Sequence, residues 1–395
     1  MKQLTSRQTV IMTVAVASML LKAGAVSPYI SKVYDFCPAP GQFVNVLPEF
    51  EDGDSHEQII TKVEEQICGD KNPGMISLGA FGGYVVFGFD HPVVNVASTA
   101  DFKIYGNAFV SDQNSGGGSS EPGIVMVSVD ANGNGVPDDE WYELAGSEYG
   151  KETTQKNYTV TYYRPAADKT AVPDPDYSYV NDRTYIKWSA SDGSDGYVKR
   201  NIFHSQSYWP QWLADEATLQ FTGTKLADNY YDESGKGTYY VQMFYDWGYA
   251  DNLPNEDSRY DGFDIGNAVD AEGKTVHLPK IDFVKVYTGV NQYCGWLGET
   301  STEICGAVDL HPDAEVSGVA SIDAANASLR IVGRTGTAIM VAKDGNGCQA
   351  CIYSMSGAVV AQPMLGEGIN EVDVCALPSG VYILVADDAA IKFVK

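Results

Sequence analysis

Apolar residues in this chain gather in short runs, several of them alternating with polar positions, and only one stretch shows helical spacing. The runs are Tyr84-Val-Val-Phe-Gly-Phe89, Phe102-Lys-Ile-Tyr-Gly-Asn107, Ile124-Val-Met-Val-Ser-Val129, Tyr158-Thr-Val-Thr-Tyr-Tyr163, Thr238-Tyr-Tyr-Val-Gln-Met-Phe-Tyr245 and Ile281-Asp-Phe-Val-Lys-Val-Tyr287. Gly, Asn, Asp or Pro punctuates the gaps between them. Alternation suits a half-buried strand, because successive side chains point to opposite faces of a sheet. The exception is Glu57–Cys68, where Ile59, Ile60, Val63 and Ile67 fall on one helical face. Asp54-Ser-His-Glu57 opens that helix, with acids in its first turn. Many strands joined by long polar loops predict a mostly β protein with a large β-sandwich or jelly-roll-like domain.

Composition shifts near Leu310. The chain before it is rich in Tyr and Trp. After the linker-like His311-Pro-Asp-Ala-Glu-Val-Ser-Gly comes a stretch of Ala, Val, Gly and Ile without Trp. This predicts a large domain over 26–310, a linker over 311–319 and a small β-sandwich over 320–395. At the other end, Lys2, Arg7 and Lys22 flank an apolar run from Val10 to Leu21, followed by Ala23-Gly-Ala25. A positive start, a short apolar segment and small residues form a signal-peptide pattern, with cleavage near Ala25. The apolar run falls short of the roughly 20 residues that span a bilayer. An exported, secreted or cell-surface location is expected.

Charge sharpens that picture. The chain carries 26 basic and 52 acidic side chains, and removing residues 1–25 takes away three basic groups and no acids, giving 23 − 52 = −29. Such a field repels nucleic acid and attracts cations. In an exported chain, the seven cysteines make disulfides possible. Cys294 and Cys305 flank a short loop and form a plausible local bridge, and a Cys37–Cys68 bridge would tie down the amino terminus. Cys348-Gln-Ala-Cys351 lacks the second ligand pair that a zinc site needs.

The sharpest local motif is Asp130-Ala-Asn-Gly-Asn-Gly-Val-Pro-Asp-Asp-Glu140. Oxygen side chains fall at alternate positions around a Gly that allows a tight turn, as in the first half of an EF-hand calcium loop. Asp130, Asn132 and Asn134 are the expected side-chain ligands of Ca2+. Val136 would lend its carbonyl, and Asp138 or Asp139 would close the shell. Trp141 stands where an EF-hand has its bidentate Glu, so an affinity in the range of about 10⁻⁴–10⁻³ M and a structural role are expected. The competing reading is an Asn-Gly turn in a hairpin.

Aromatic residues crowd Tyr208-Trp209-Pro-Gln-Trp212, and Trp247 stands in the acidic stretch Asp246-Trp-Gly-Tyr-Ala-Asp251-Asn252. Flat rings on loops stack on sugars or other planar ligands at low entropy cost. If these loops meet, Tyr208, Trp209, Trp212, Trp247, Asp251 and Asn252 make an aromatic floor with polar groups on its rim. Core packing is the alternative for the same rings. No G-x-S-x-G, H-E-x-x-H or G-x-G-x-x-G occurs. The five histidines are dispersed, and only His91 beside Asp90 and His204 beside Ser205 draw attention. No catalytic residue is assigned.

Two resemblances add to this reading. Cys351-Ile-Tyr-Ser-Met-Ser-Gly-Ala-Val-Val360, Gly368-Ile-Asn-Glu-Val-Asp-Val374, Leu377-Pro-Ser-Gly-Val-Tyr-Ile383 and Ile391-Lys-Phe-Val-Lys395 resemble the carboxy-terminal sorting domain of the type IX secretion system of Bacteroidota. That resemblance implies a small β-sandwich, passage across the outer membrane and the sorting machinery as a partner. Pro40-Gly-Gln-Phe-Val-Asn45, Phe87-Gly-Phe-Asp-His-Pro92, Ser119-Ser-Glu-Pro-Gly-Ile124, Asp138-Asp-Glu-Trp-Tyr-Glu-Leu-Ala-Gly-Ser-Glu148, Asp246-Trp-Gly-Tyr-Ala-Asp-Asn252 and Val286-Tyr-Thr-Gly-Val-Asn-Gln292 resemble a family of Bacteroidota cell-surface proteins, some with PKD-like domains. That family implies surface location. For some members it implies nutrient uptake, including corrinoid capture. The expectation is therefore a non-catalytic surface binding protein for a small molecule or glycan, with a calcium-stabilised loop. Its rivals are a secreted glycan hydrolase using two carboxylates across a cleft, roughly 5–10 Å apart, and a structural surface-layer protein.

Overall fold

The computed structural model describes residues 26–314 and 329–395, apart from positions 72, 98, 113–115, 335–336, 355–358, 379 and 388. The expected signal peptide, with Ala25, lies outside the described residues, as do positions 315–319 of the expected linker. The protein is mostly β, built from antiparallel sheets layered as a sandwich. Among the described residues, no helix is long and apolar enough to cross a membrane.

Among the described residues, the one α-helix runs His56–Ile67. Ser55 caps it: its side chain accepts from the Gln58 backbone N–H, and the Gln58 side chain accepts from the Ser55 backbone N–H. This reciprocal capping box satisfies two N–H groups that a helix start leaves open. Ile59, Val63 and Ile67 are buried. Each contributes on the order of 1.5–3 kcal/mol by leaving water.

That helix covers one face of the central sheet. The sheet's strand order is Lys32–Cys37, Tyr84–Gly88, Phe283–Thr288, Gly123–Ser128, Trp141–Leu144 and Ala268–Val269. Strand alternation divides its side chains cleanly. Val85, Phe87, Val125, Val127, Val284 and Val286 enter the core with the helix, while Ile124 and Tyr287 pack on the opposite side. The first strand of that sheet shows no strong alternation in the sequence and is held by its pairing with Tyr84–Gly88.

Two four-stranded sheets and three two-stranded ladders complete the large unit. One four-stranded sheet has the order Asp195–Asn201, Val180–Ala190, Gln155–Tyr163, Thr218–Lys225. Tyr158, Val160 and Tyr162 alternate inward from it against Phe81, Ile186, Val198 and Phe221. The other has the order Tyr230–Asp232, Tyr240–Met243, Gly117–Ser119, Phe109–Asp112. The chain leaves this unit after Gly306–Asp309, which pairs with Phe102–Tyr105. There His91 bridges two carboxylates, with Nδ1 2.6 Å from Asp90 Oδ1 and Nε2 2.7 Å from Asp309 Oδ2. Burial works against charge on this imidazole, but the bonds to Asp90 and Asp309 outweigh it and raise the pKa.

From Leu329 onward the strands pair only with one another. One sheet joins Leu329–Arg334, Ala338–Lys343 and Gly368–Asp373. A second joins Val359–Ala361, Cys351–Ser354, Val381–Ala386 and Ala389–Val394. They enclose a core of their own that includes Ile339, Val341, Ile352, Leu384 and Phe393. All seven cysteines are free thiols, so neither Cys294 with Cys305 nor Cys37 with Cys68 forms the bridge that their spacing allows. Burial raises the thiol pKa of Cys37, Cys68, Cys294 and Cys305 to about 12, which keeps them protonated and unreactive.

Candidate ligand-binding cleft

The expected aromatic floor does not form. Tyr208 and Trp209 are 0% and 2% exposed and pack in the core with Tyr162 and Phe221. The Trp209 indole donates its N–H to the Leu213 carbonyl at 3.0 Å, and the Tyr208 hydroxyl accepts from the Asn201 backbone N–H. Trp212 is partly buried and stacks on Phe36, with ring centroids 6.0 Å apart. The segment beside Pro210 plugs the protein's interior, because its rings gain more by leaving water than a loop position suggests. Asp251 and Asn252 are 2% and 1% exposed. The Asn252 amide is used internally: Oδ1 accepts from Ser120 Oγ and from the Tyr245 N–H, and Nδ2 donates to the Tyr245 carbonyl. Of the six positions, Trp247 alone stands open, at 46% exposure.

A different set of rings converges elsewhere. Phe109, Phe203, Tyr239 and Trp296 are each exposed by 39–59% and line one cleft of about 380 Å³. Contiguous exposed aromatic surface is costly in water and marks a binding site. Three of these rings have evident local support. Phe109 begins an edge strand and pairs with Ser119, while the neighbouring Gly118 pairs with Val110. A Cβ on Gly118 would meet the Phe109 carbonyl oxygen at 2.0 Å, so only glycine permits this approach. Phe203 follows the strand Asp195–Asn201, where Asn201 Oδ1 accepts the N–H groups of both Phe203 and His204 at 3.0 Å. Trp296 sits on the short turn Gly295–Leu297. Gly295 has φ +56° and presses on the Tyr240 ring, which a Cβ would meet at 2.1 Å.

Polar groups occupy the floor of the same cleft. Gln42 ties it together: its Nε2 donates to the Leu297 carbonyl at 2.6 Å, and its Oε1 accepts from Asn201 Nδ2 at 2.9 Å. This one buried amide holds the Phe203 turn and the Trp296 turn in register. His204 lies edge-on to Phe43 with centroids 4.6 Å apart, and burial lowers its pKa, favouring the neutral ring. Gln242, Ser111 and Ser119 add neutral hydrogen-bonding groups, and among the described residues Glu121 is the only carboxylate in the lining. Burial raises the pKa of Glu121.

The chain matches no known protein-family model. A comparison with curated proteins likewise finds no match.

A larger cavity, about 660 Å³, lies beside Trp209 and Gln211. It is less suited to binding by stacking. None of its lining residues is among the exposed large hydrophobics, and its Lys169 is already paired with Asp182 at 2.5 Å.

The Asp130–Asp139 loop is well exposed and folds as a chain of turns. Asp130 accepts the N–H groups of Asn134 and Gly135, Asn132 Oδ1 accepts Asn134 N–H, and Asn134 Oδ1 accepts Val136 N–H. The Asp138 carboxylate takes the amide Nδ2 groups of Asn132 and Asn134, which lower its pKa. Asp139 Oδ2 accepts the Ala131 N–H, and the Val136 carbonyl accepts the Asp138 N–H. The oxygens therefore face the loop's own N–H groups, with the two asparagine amides turned nitrogen-first toward Asp138. A cation here requires those amides to turn over.

The cleft aromatics were legible only as scattered rings. Phe109, Phe203, Tyr239 and Trp296 belong to four separate segments, and no spacing in the sequence joins them. Of the lining, the sequence marked His204 beside Ser205 and Tyr239 within the run Thr238–Tyr245.

Proposed function

We propose that this protein is a non-catalytic binding protein of the cell surface, exported after cleavage near Ala25 and sorted through residues 320–395. Its cleft captures a ligand with flat apolar faces and hydrogen-bonding edges, such as a glycan or a corrinoid. The convergence of Phe109, Phe203, Tyr239 and Trp296 over an amide-rich floor carries this reading. Aromatic faces offer stacking area at little entropy cost, and Ser111, Ser119 and the neutral His204 ring supply polar contacts for orientation. The hydrolase alternative is weaker, because two carboxylates facing each other across a gap are needed and Glu121 is alone in the lining.

Trp296→Ala and Phe203→Ala are each expected to weaken binding by about 1–3 kcal/mol, with little change in melting temperature because both rings are exposed. Isothermal titration with neutral oligosaccharides and with cyanocobalamin checks this. Equal affinity in the wild type and both variants, or no binding of either probe class, would overturn the assignment of the cleft.

Calcium at the Asp130–Asp139 loop is part of the same proposal, as a structural ion. Neutralising Asp130, Asp138 and Asp139 in a surface loop stabilises the folded state by linkage. Calcium at millimolar concentration is expected to raise the melting temperature, and Asp130→Ala to remove the loop's share of that rise. An undiminished response in Asp130→Ala takes the ion away from this loop.

A further inference from the structure

Three acidic residues far apart in the sequence meet inside the large unit. Glu121 stands two residues before the central strand Gly123–Ser128. Asp251 follows the backbone bridge in which Gly123 and Ala250 exchange hydrogen bonds, and Glu303 opens the strand Glu303–Ile304. Carboxylate oxygens of Glu121, Asp251 and Glu303 all lie within 4.8 Å of one another. Asp251 and Glu303 are 2% and 4% exposed. Backbone bonds lock the arrangement: Glu121 N–H donates to the Asp251 carbonyl at 2.9 Å, and Glu303 N–H donates to Asp251 Oδ2 at 2.9 Å. Asp251 Oδ1 accepts the N–H groups of Asn107 and Ala108.

Among the described residues, no Lys, Arg or His forms a salt bridge with any of the three. Three ionised carboxylates cannot share a dry interior without a compensating charge. Burial pushes all three toward the protonated form. A proton shared between the Glu303 and Glu121 carboxyls eases the repulsion, yet Glu303 Oε1 is buried and accepts no N–H or O–H group. An orphaned buried polar atom costs about 1–3 kcal/mol, and a cation among the three groups would satisfy it.

We infer that Glu121, Asp251 and Glu303 form a binding site for a hard divalent cation, Ca2+, in the interior of the large unit. Carboxylate oxygens this close together can share one cation, and Ca2+ accepts a flexible all-oxygen shell, whereas Mg2+ demands near-ideal octahedral geometry and keeps several waters. Glu121 lines both the cluster and the aromatic cleft, which supplies an entry path for the ion. The site is distinct from the Asp130–Asp139 loop and stands whether or not the cleft binds a glycan or a corrinoid.

The test uses the full chain, stripped with a chelator and dialysed against CaCl2, with bound calcium counted per chain by mass spectrometry and melting followed in parallel. Glu303→Gln and Glu121→Gln are each expected to bind one calcium fewer than the wild type and to lose the corresponding rise in melting temperature. Asp130→Ala is expected to keep this ion. Two substitutions are used so that one failing to fold leaves the other as the readout, and each removes a like charge, which favours folding without the ion. Equal calcium content in the wild type, Glu303→Gln and Glu121→Gln overturns the site and leaves the cluster held by protons.

Discussion

Trp209→Ala is expected to lower the folding stability of the large unit by about 3–5 kcal/mol. The indole is 2% exposed, sits among Tyr162, Tyr208 and Phe221, and spends its one donor on the Leu213 carbonyl. Truncation removes ring contacts that the surrounding core cannot refill, and it leaves the Leu213 carbonyl without that donor. Urea unfolding followed by tryptophan-independent circular dichroism measures the effect. Ligand affinity of whatever protein remains folded should be close to that of the wild type, because Trp209 is absent from the cleft lining. A loss of affinity with stability unchanged would return the ligand site to Tyr208–Trp212.

The second large effect concerns pH. Glu299 is 5% exposed, and burial, reinforced by the nearby Glu121 charge, raises its pKa from 4.5 to about 8, even though Gln42 donates its backbone N–H to Oε1. Its other oxygen, Oε2, is buried without a partner. The folded protein therefore keeps a proton that the unfolded chain has released across the window between these two values. Stability from this group is present in acid and is lost as pH rises through that window, by about 1.4 kcal/mol per unit, and it levels off above the folded value. Glu299→Gln imitates the protonated acid. It is expected to change little at pH 5 and to stabilise the protein by roughly 2–5 kcal/mol at pH 8. Denaturant unfolding of both proteins at a fixed calcium concentration across pH 5–8.5 isolates the difference. Parallel pH profiles for the two proteins would show that Glu299 ionises normally inside the fold.

Both effects arise from residues whose chemistry depends on burial, and burial is where reading the chain reached its limit. Trp209 beside Pro210 carries the local marks of an exposed loop. Glu299 is one of many acids in a strongly acidic chain, with nothing in its neighbours to announce a carboxyl sealed beneath Gln42. The acid cluster is harder still to see. Asp251 stood in a recognisable acidic stretch, but Glu121 and Glu303 lie far from it along the chain and meet it only through strand pairing.

What the chain by itself determined is local and periodic. The capping pattern at Ser55 and the spacing of Ile59, Val63 and Ile67 specify the one helix, because a helical face and its first-turn N–H groups are satisfied within a few residues. Alternation at 124–129 and 281–287 specifies central strands, because a sheet sorts side chains by parity. The turns at Asp130–Asp139 follow from Asn and Gly placed where side-chain oxygens can reach their own backbone. Tertiary structure alone decided which strands became neighbours, since Lys32–Cys37 beside Tyr84–Gly88 and Phe283–Thr288 beside Gly123–Ser128 are contacts between distant segments. It alone sent Tyr208 and Trp209 inward and left Phe109, Phe203, Tyr239 and Trp296 outside. The physical reason is that a ring's preference for leaving water is the same at every position, whereas the space to receive it exists only where sheets and turns have already closed around it.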